Sequence, residues 1–482
     1  MTPWPTSADI TQPGLRAAVA KAHRAGLAAV RMPDPEAFPR ALRRLERLSL
    51  RTIRTLLAAE GALPPGGPPR TAEEIAAALR AAPRHVWLVR RWLAALEAEG
   101  ALTRTGERYL PPHVPDDGPE DAGSADGVGR RHPPSGMRGD RSGEAGGVGV
   151  RRPASAVLDD RPDHAEVEGA RYLAPGVPAA GPGHAGGVGV PRRAAPVVPG
   201  DAASGGAASG GAGDVGAPLR DGYAALGFPP LMARFHAEAL ARLGELVRDE
   251  VTVQRLLFRD GDVLGALAAY QDNVFTDYLN AACGSLLRHL AERGPAPPRI
   301  VELGGGGGAA TAAVLRALHG VPADYVFTDV SRAFTTAARE RFGDRLCYRL
   351  LDINADPAAW AMPPGSADVV LAANVLHNAV HIGRTLGHIR RLLRPGGALV
   401  FTESIRENHV ILTSMQFLLS APPGRTRPGE GDRRAARGEV FLDADGWHRE
   451  LTAAGFAPVC ALPGADDPLA AAGQHLFWAD AR

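Results

Sequence analysis

Five consecutive glycines, Gly304–Gly308, follow directly on the apolar run Arg299–Leu303, whose fourth residue is an acid, Glu302. Few features constrain a chain more. A buried strand must end there, and the backbone must turn tightly and lie close to whatever sits above it, because glycine alone offers no side chain to interfere. The helix expected over Ala309–Leu318 can then begin at once. Loops of this kind serve nucleotide ligands at the carboxyl ends of parallel strands. A dinucleotide would bring its pyrophosphate to the helix start, where a neighbouring carboxylate is repulsive. The cationic methionine end of a sulfonium nucleoside carries an amino group that a carboxylate can bind, so Glu302 tilts the reading from hydride to methyl transfer.

The chain beyond the loop repeats the pattern. Tyr325–Val330 predicts a second strand ending in Asp329, at about the spacing where a doubly wound sheet places the acid that grips ribose hydroxyls. Tyr348–Asp352 predicts a third, closed by Asp352, and Asp368–Asn374 a fourth, closed by Asn374. Ligands of open parallel sheets lie outside these strand ends. Glu302, Gly304, Gly306, Gly308, Asp329, Asp352 and Asn374 are therefore the expected cofactor-binding residues, with the three acids facing one nucleoside. The fold class expected is α/β, a Rossmann-like doubly wound sheet.

From about Leu256 to Phe456 the chain resembles the methyltransferase domains of polyketide and nonribosomal peptide synthases, a class I S-adenosylmethionine-dependent fold. The resemblance is carried by LLF at 256–258, AYQDN at 269–273, VELGGGGG at 301–308, FTDVS at 327–331 and LLDIN at 350–354. It continues through ADVVLAANVLHN at 367–378, RTLGHIRRLLRPGGALVFTE at 384–403, and Trp447 before AAGF at 453–456. Two departures stand out. The glycine loop lacks the usual small or hydroxyl residues, and His381 occupies a place where an acid is expected. The resemblance implies S-adenosyl-L-methionine as cofactor and a ketoacyl thioester or keto acid of secondary metabolism as acceptor, small or carrier-bound.

His377 and Glu403 are the expected catalytic pair. ANVLH ends the fourth strand region and ALVFTE the fifth, with one helix, Ile382–Leu393, between them. Adjacent parallel strands lie about 4.8 Å apart, so side chains at their ends can meet. In carbon-methylating domains, the resemblance implies, such a His removes the acidic proton between two carbonyls while the Glu orients it. Imidazole titrates near neutrality, and a carboxylate fixes its tautomer. Oxygen or nitrogen methylation of a small aromatic or amino-acid-derived scaffold is the alternative, since it needs no enolate. A metal reading rests on His377 and His381 at helical spacing, with His388 and His409 near in sequence. Three cysteines and no CxxC argue against a closed zinc site, and no metal is expected.

The rest of the 482 residues frames this core. Residues 111–217 are dominated by Gly, Ala, Pro and Arg, with DGVGR at 126–130 recurring as GGVGV at 146–150 and 186–190. Too little apolar area is present to offset ordering entropy, so a disordered low-complexity linker is expected. Before it, residues 1–110 read as a helical winged-helix domain: Leu45–Glu60, a capping box at Thr71 opening Thr71–Leu79, Val86–Glu99, and a two-stranded wing within Ala101–Leu110. Arg84, Arg90 and Arg91 would suit DNA phosphates, which makes a DNA-binding regulator the rival from another class. Trp87, Leu88, Trp92 and Leu93 instead predict a buried or dimer-forming helix. The arrangement resembles the dimerisation domain of stand-alone small-molecule methyltransferases, which implies a homodimer. A formal charge of +1 gives no general attraction to nucleic acid or membrane.

Residues 218–298 read as a helical lid over the sheet domain at 299–482, with helices at Pro229–Val247, Val251–Leu257, Val263–Tyr270 and Phe275–Glu292. Tyr270 and Asn273 from the lid, and Met415 from a helix expected over His409–Ser420, are the expected substrate-pocket residues. Arg425–Arg437 reads as a basic, unstructured loop suited to docking an acidic carrier protein. Neither a leader peptide nor an apolar run of spanning length is visible, and a cytoplasmic location is expected.

Overall fold

Apolar residues on both parities of a strand bury both of its faces, and the sheet strands here read that way. The computed structural model describes Trp4, Ile10 and residues 12–30, 37–111, 216–259 and 261–482. Seven strands form the main sheet: β4 (Arg299–Leu303), β5 (Asp324–Asp329), β6 (Cys347–Leu350), β7 (Ala367–Ala373), β8 (Leu393–Ser404), β9 (Phe456–Leu462) and β10 (Gln474–Ala481). Their order is β6-β5-β4-β7-β8-β10-β9. The pairs from β6 to β8 are parallel, whereas β10 runs antiparallel to both β8 and β9. The doubly wound parallel sheet expected from the sequence is thus present, extended by an antiparallel pair.

Strand parity divides the core into two layers. Ile300, Tyr325, Phe327, Val369, Leu371, Val400, Leu476 and Trp478 face one layer, shared with the N-terminal and lid helices. Val301, Leu303, Val370, Ala372, Leu399, Phe401 and Phe477 face the other, which Ile382, Leu386 and Ile389 of the helix Ile382–Leu392 close together with Trp447 and Leu451. Each such side chain withdrawn from water contributes about 1.5–3 kcal/mol.

The lid helices form close to where the apolar spacing puts them: Val253–Leu257, Val263–Gln271 and Val274–Ala291. The long helix expected at 229–247 is instead two, Pro230–Ala241 and Leu243–Val247, parted at Arg242. The helix expected over His409–Ser420 also breaks. An α-helical turn, His409–Leu412, is followed by a 3-10 stretch, Met415–Leu419. The Thr413 and Ser414 hydroxyls both donate to the Val410 carbonyl, a back-bond that competes with helix continuation.

The N-terminal segment shows helix Ala37–Ala59, β1 (Arg70–Thr71), helix Ala72–Ala78, helix Val86–Ala98 and the hairpin β2 (Thr103–Thr105) and β3 (Arg108–Leu110), the order expected of a winged helix. The capping box is present: the Thr71 hydroxyl accepts from Glu74 N and the Glu74 carboxylate from Thr71 N. A further helix, Pro13–Ala29, was not expected; it packs along Val274–Ala291, where the Tyr278 hydroxyl and His23 Nδ1 are 2.7 Å apart.

The arginines of the helix Val86–Ala98 and its approach are spoken for within the chain. Arg84 pairs with Asp249, Arg90 with Glu73 and Arg91 with Glu407. Trp92 is fully buried and donates to the Leu412 carbonyl, while Trp87 donates to the Ser420 hydroxyl. The apolar face expected to be buried or to pair subunits is therefore covered by the chain itself. All described residues belong to one compact unit. The stretch expected as a linker lies, but for its ends, outside the described residues. No helix among the described residues is long and apolar enough to cross a membrane.

Candidate active site

The glycine loop is shaped by backbone conformation and close contact. Gly304, Gly306 and Gly308 adopt φ of 61°, 52° and 73°, in the left-handed region where a side chain is strained. A Cβ on Gly304 would lie 2.4 Å from Val375, and one on Gly305 2.1 Å from Phe327. A Cβ on Gly306 or Gly307 would meet nothing nearer than 3.8 Å, so the backbone there is less crowded than at Gly304 and Gly305.

Asp329, at the end of β5, organises this loop. One carboxylate oxygen accepts from Gly306 N at 2.9 Å and the other from Ser331 N at 2.8 Å. Burial pushes its carboxyl above the usual range, against the pull of those N–H donors. Each oxygen keeps a second lone pair for a ligand hydroxyl. Asp352, half-buried beyond β6, accepts from Asn354 N. Asn374, just past β7, sits at φ 57°, a conformation asparagine tolerates better than most residues and one that clusters at functional sites.

Glu302 departs from expectation. It lies beneath the helix Ala309–Ala317, where it is fully buried. Its Oε2 accepts from the Thr311 hydroxyl at 2.7 Å and the Tyr325 hydroxyl at 2.9 Å, while Oε1 has no partner. Burial pushes its carboxyl up to about 7. The three acids therefore do not converge as a set: Glu302 ties the loop's helix to the sheet from below, and Asp329 and Asp352 stand at strand ends.

His377 and Glu403 do meet. His377 lies on a 3-10 turn, Leu376–Asn378, immediately after β7, and Glu403 is the penultimate residue of β8. His377 Nδ1 lies 2.9 Å from Glu403 Oε2, and the His377 backbone N–H donates to Oε1 at 2.9 Å. Glu403 is fully buried and His377 is 8% exposed, with Phe441 packed against its ring. A carboxylate at Nδ1 holds the proton there and leaves Nε2 as the basic nitrogen. Directly across the ladder from Glu403 stands His475, whose burial pushes it down to about 4. His475 is therefore neutral near pH 7.

Tyr270, Asn273 and Asn374 line one cleft, with Thr402 from β8, Gln474 from β10 and Ala309 from the helix after the glycines. The expected lid contribution is thus in place, and burial pushes the Tyr270 hydroxyl up to about 12. Asn273 is committed elsewhere: its Oδ1 caps the helix Val274–Ala291 through Thr276 N, and its amide donates to Tyr270 O. Met415 packs on the main core and is not among the residues lining this cleft. Sequence reading missed Thr402 and Gln474, although parity beside Glu403 would have turned Thr402 to the opposite face.

The remaining histidines are apart. His381 caps the helix Ile382–Leu392 by accepting from Arg384 N, so it does not share a helix face with His377, and His388 packs against Trp360. The segment Arg425–Arg437, expected to be unstructured, is folded onto the site. Arg427 and Arg434 are buried, and Arg434 is 1% exposed and bonded to Asp432 and three backbone carbonyls. Arg425, Arg433 and Arg437 remain at the surface.

A family model described as a methyltransferase domain matches residues 301–399. The chain is 35% identical over 228 residues to the highly reducing polyketide synthase resH of Aspergillus sclerotiorum, a match covering 46% of this chain and 8% of the relative. It is 30% identical over 243 residues to pyochelin synthetase PchF of Pseudomonas aeruginosa, covering 49% of this chain and 13% of the relative. The chain thus spans only a small part of the length of these relatives. Among solved structures, the CurJ carbon methyltransferase superposes with a TM-score of 0.65 at 20% identity, covering 97% of this chain and 99% of that one. At that identity the likeness is one of fold, and it takes in nearly the whole architecture. The chain carries an S-adenosylmethionine-dependent methyltransferase domain similar to those of polyketide synthases.

Proposed function

We propose that this protein methylates carbon, taking an acidic proton from between the carbonyls of a ketoacyl thioester or a related keto acid. The observation that carries the reading is the buried Glu403 carboxylate on Nδ1 of His377, which leaves Nε2 as a base at the ends of β7 and β8. A general base of this kind contributes about 10²–10⁴-fold.

The cofactor residues fit a sulfonium nucleoside. The uncrowded backbone at Gly306 and Gly307 admits its close approach, Asp329 and Asp352 offer acceptors for ribose hydroxyls, and Asn374 lines the cleft at the end of β7. When bound, S-adenosyl-L-methionine supplies an electrophilic methyl group. His377 Nε2 takes the proton from the acceptor carbon, whose electron pair passes into the enolate. The enolate carbon so formed would be the nucleophile for that methyl group. Glu403 stabilises the imidazolium formed, which afterwards releases its proton to water.

The relatives named above are a polyketide synthase and a pyochelin synthetase, which supports a thioester acceptor, small or carrier-bound. The test is incubation with labelled donor and a β-ketoacyl N-acetylcysteamine thioester, keto acids and phenols in parallel, with the methyl located by carbon NMR. Label on the carbon between the carbonyls is the expected result. Label on oxygen or nitrogen alone overturns the enolate.

A further inference from the structure

The carbonyl groups of His377, Ala379 and Val380 are taken by one distant segment. Arg434 Nη1 donates to the His377 carbonyl at 3.2 Å and the Val440 carbonyl at 2.8 Å, and Nη2 donates to the Ala379 carbonyl at 2.6 Å. Nη2 and Nε also fork onto Asp432, at 2.8 Å to Oδ2 and 3.0 Å to Oδ1. Asp432 Oδ2 in turn accepts from Ile382 N at 2.8 Å, and Gly429 N and Gly431 N donate to the carbonyls of Ala379 and Val380. The ion pair thus brackets the chain from His377 to Ile382.

The arrangement completes the restraint on His377. Its N–H and Nδ1 are bound to Glu403, and its carbonyl is bound to Arg434. Of its polar groups, Nε2 is the one left to exchange a proton. A guanidinium suits this task because it presents five donors in a rigid plane and stays charged. A buried charge with so many partners costs desolvation that a loop merely needing a stop would not require. Arg427, by contrast, is held differently, over the ring of Trp87.

We propose that Arg434, braced by Asp432, is a positioning residue that fixes the His377 turn so that Nε2 addresses the acceptor. The inference rests on the reading of His377 as the base. Displacement of a reacting group by about 1 Å costs about 100-fold in rate.

The test uses the full chain with S-adenosylmethionine and a β-ketoacyl N-acetylcysteamine thioester. Arg434→Lys keeps the charge but loses the fork. The double substitution Asp432→Asn with Arg434→Gln removes both charges, so that no unpaired ion stays buried and the chain can fold. Both should fold by circular dichroism and bind S-adenosylmethionine as the native protein does. In both, kcat should fall about 100-fold with KM little changed. The downfield proton resonance of His377 Nδ1–H, assigned by its disappearance in His377→Gln, should broaden into exchange. A folded double variant that keeps kcat within about twofold, or one that loses rate while the resonance stays sharp, overturns the proposal. If His377→Gln itself retains full rate, the base reading fails separately. The resonance then still decides whether Arg434 positions the ring.

Discussion

The glycine loop and the His377 corner stand at the same edge of the sheet but are held by different means. The loop is held by backbone: positive-φ glycines, the Gly306 and Ser331 amides on Asp329, and a strand pairing beneath. Its components lie close together in sequence. The His377 corner is held by side chains drawn from three places, the 3-10 turn after β7, the end of β8, and the Asp432–Arg434 pair beyond it. A ligand that must be gripped at several points is served by a cradle in which backbone donors arrive already fixed. A proton to be moved needs one side chain whose tautomer is dictated, and that takes a buried partner.

Substitutions in the dyad would break the contrast most sharply. His377→Gln and Glu403→Gln should each lower kcat by about 10²–10⁴-fold while calorimetric affinity for S-adenosylmethionine changes little, because neither touches the cradle. Equal losses in rate and affinity would mean the two corners are one site energetically. Gly304→Ala tests their junction, since the added Cβ meets Val375 two residues before His377 and the φ is left-handed. It should cost roughly 2–4 kcal/mol in denaturant unfolding and weaken both affinity and rate.

Glu302→Gln sharpens the picture of the layer below the loop. The folded protein holds a proton on Glu302 up to about pH 7, whereas the unfolded chain sheds it near 4.5. The stabilisation from that raised value is complete below about 4.5 and is lost as pH climbs through 7. Glutamine has no proton to lose, so the variant should match the native protein at about pH 4 and exceed it by about 3 kcal/mol at pH 8, at about 1.36 kcal/mol per pKa unit. Thermal melts across that range check it; a pH-independent difference would place an ionised carboxylate there. The smallest effect belongs to Arg437→Glu. Its side chain is 80% exposed, so stability should stay within about 0.5 kcal/mol, in contrast to Arg434 in the same segment.

The cradle was legible in the sequence because a five-glycine loop and acids at strand ends are local signals. The meeting of His377 and Glu403 was legible for a related reason: one follows a strand and the other stands at the end of its neighbour. Glu302 was read as a cofactor contact because it stands beside the glycines in sequence, whereas its hydroxyl partners Thr311 and Tyr325 come from other elements. Arg434 was misread as part of a docking loop because composition shows charge and not burial. Its task became visible only when Asp432 and the carbonyls of a turn far away in sequence were seen around it. Met415 failed for a third reason, a helix broken by hydroxyl back-bonds at Thr413 and Ser414.

The antiparallel end of the sheet sets an order of assembly. Because β10 sits between β8 and β9, β9 has no neighbour to pair with until the residues after it have been synthesised. The β9–β10 hairpin, joined through residues 463–473, is the most local pairing open to either strand, and contacts near in sequence form ahead of distant ones. During translation the hairpin should therefore zip first and then dock as a unit along β8. Until it does, the outer backbone edge of β8, Glu403 included, stays open to water and to other chains.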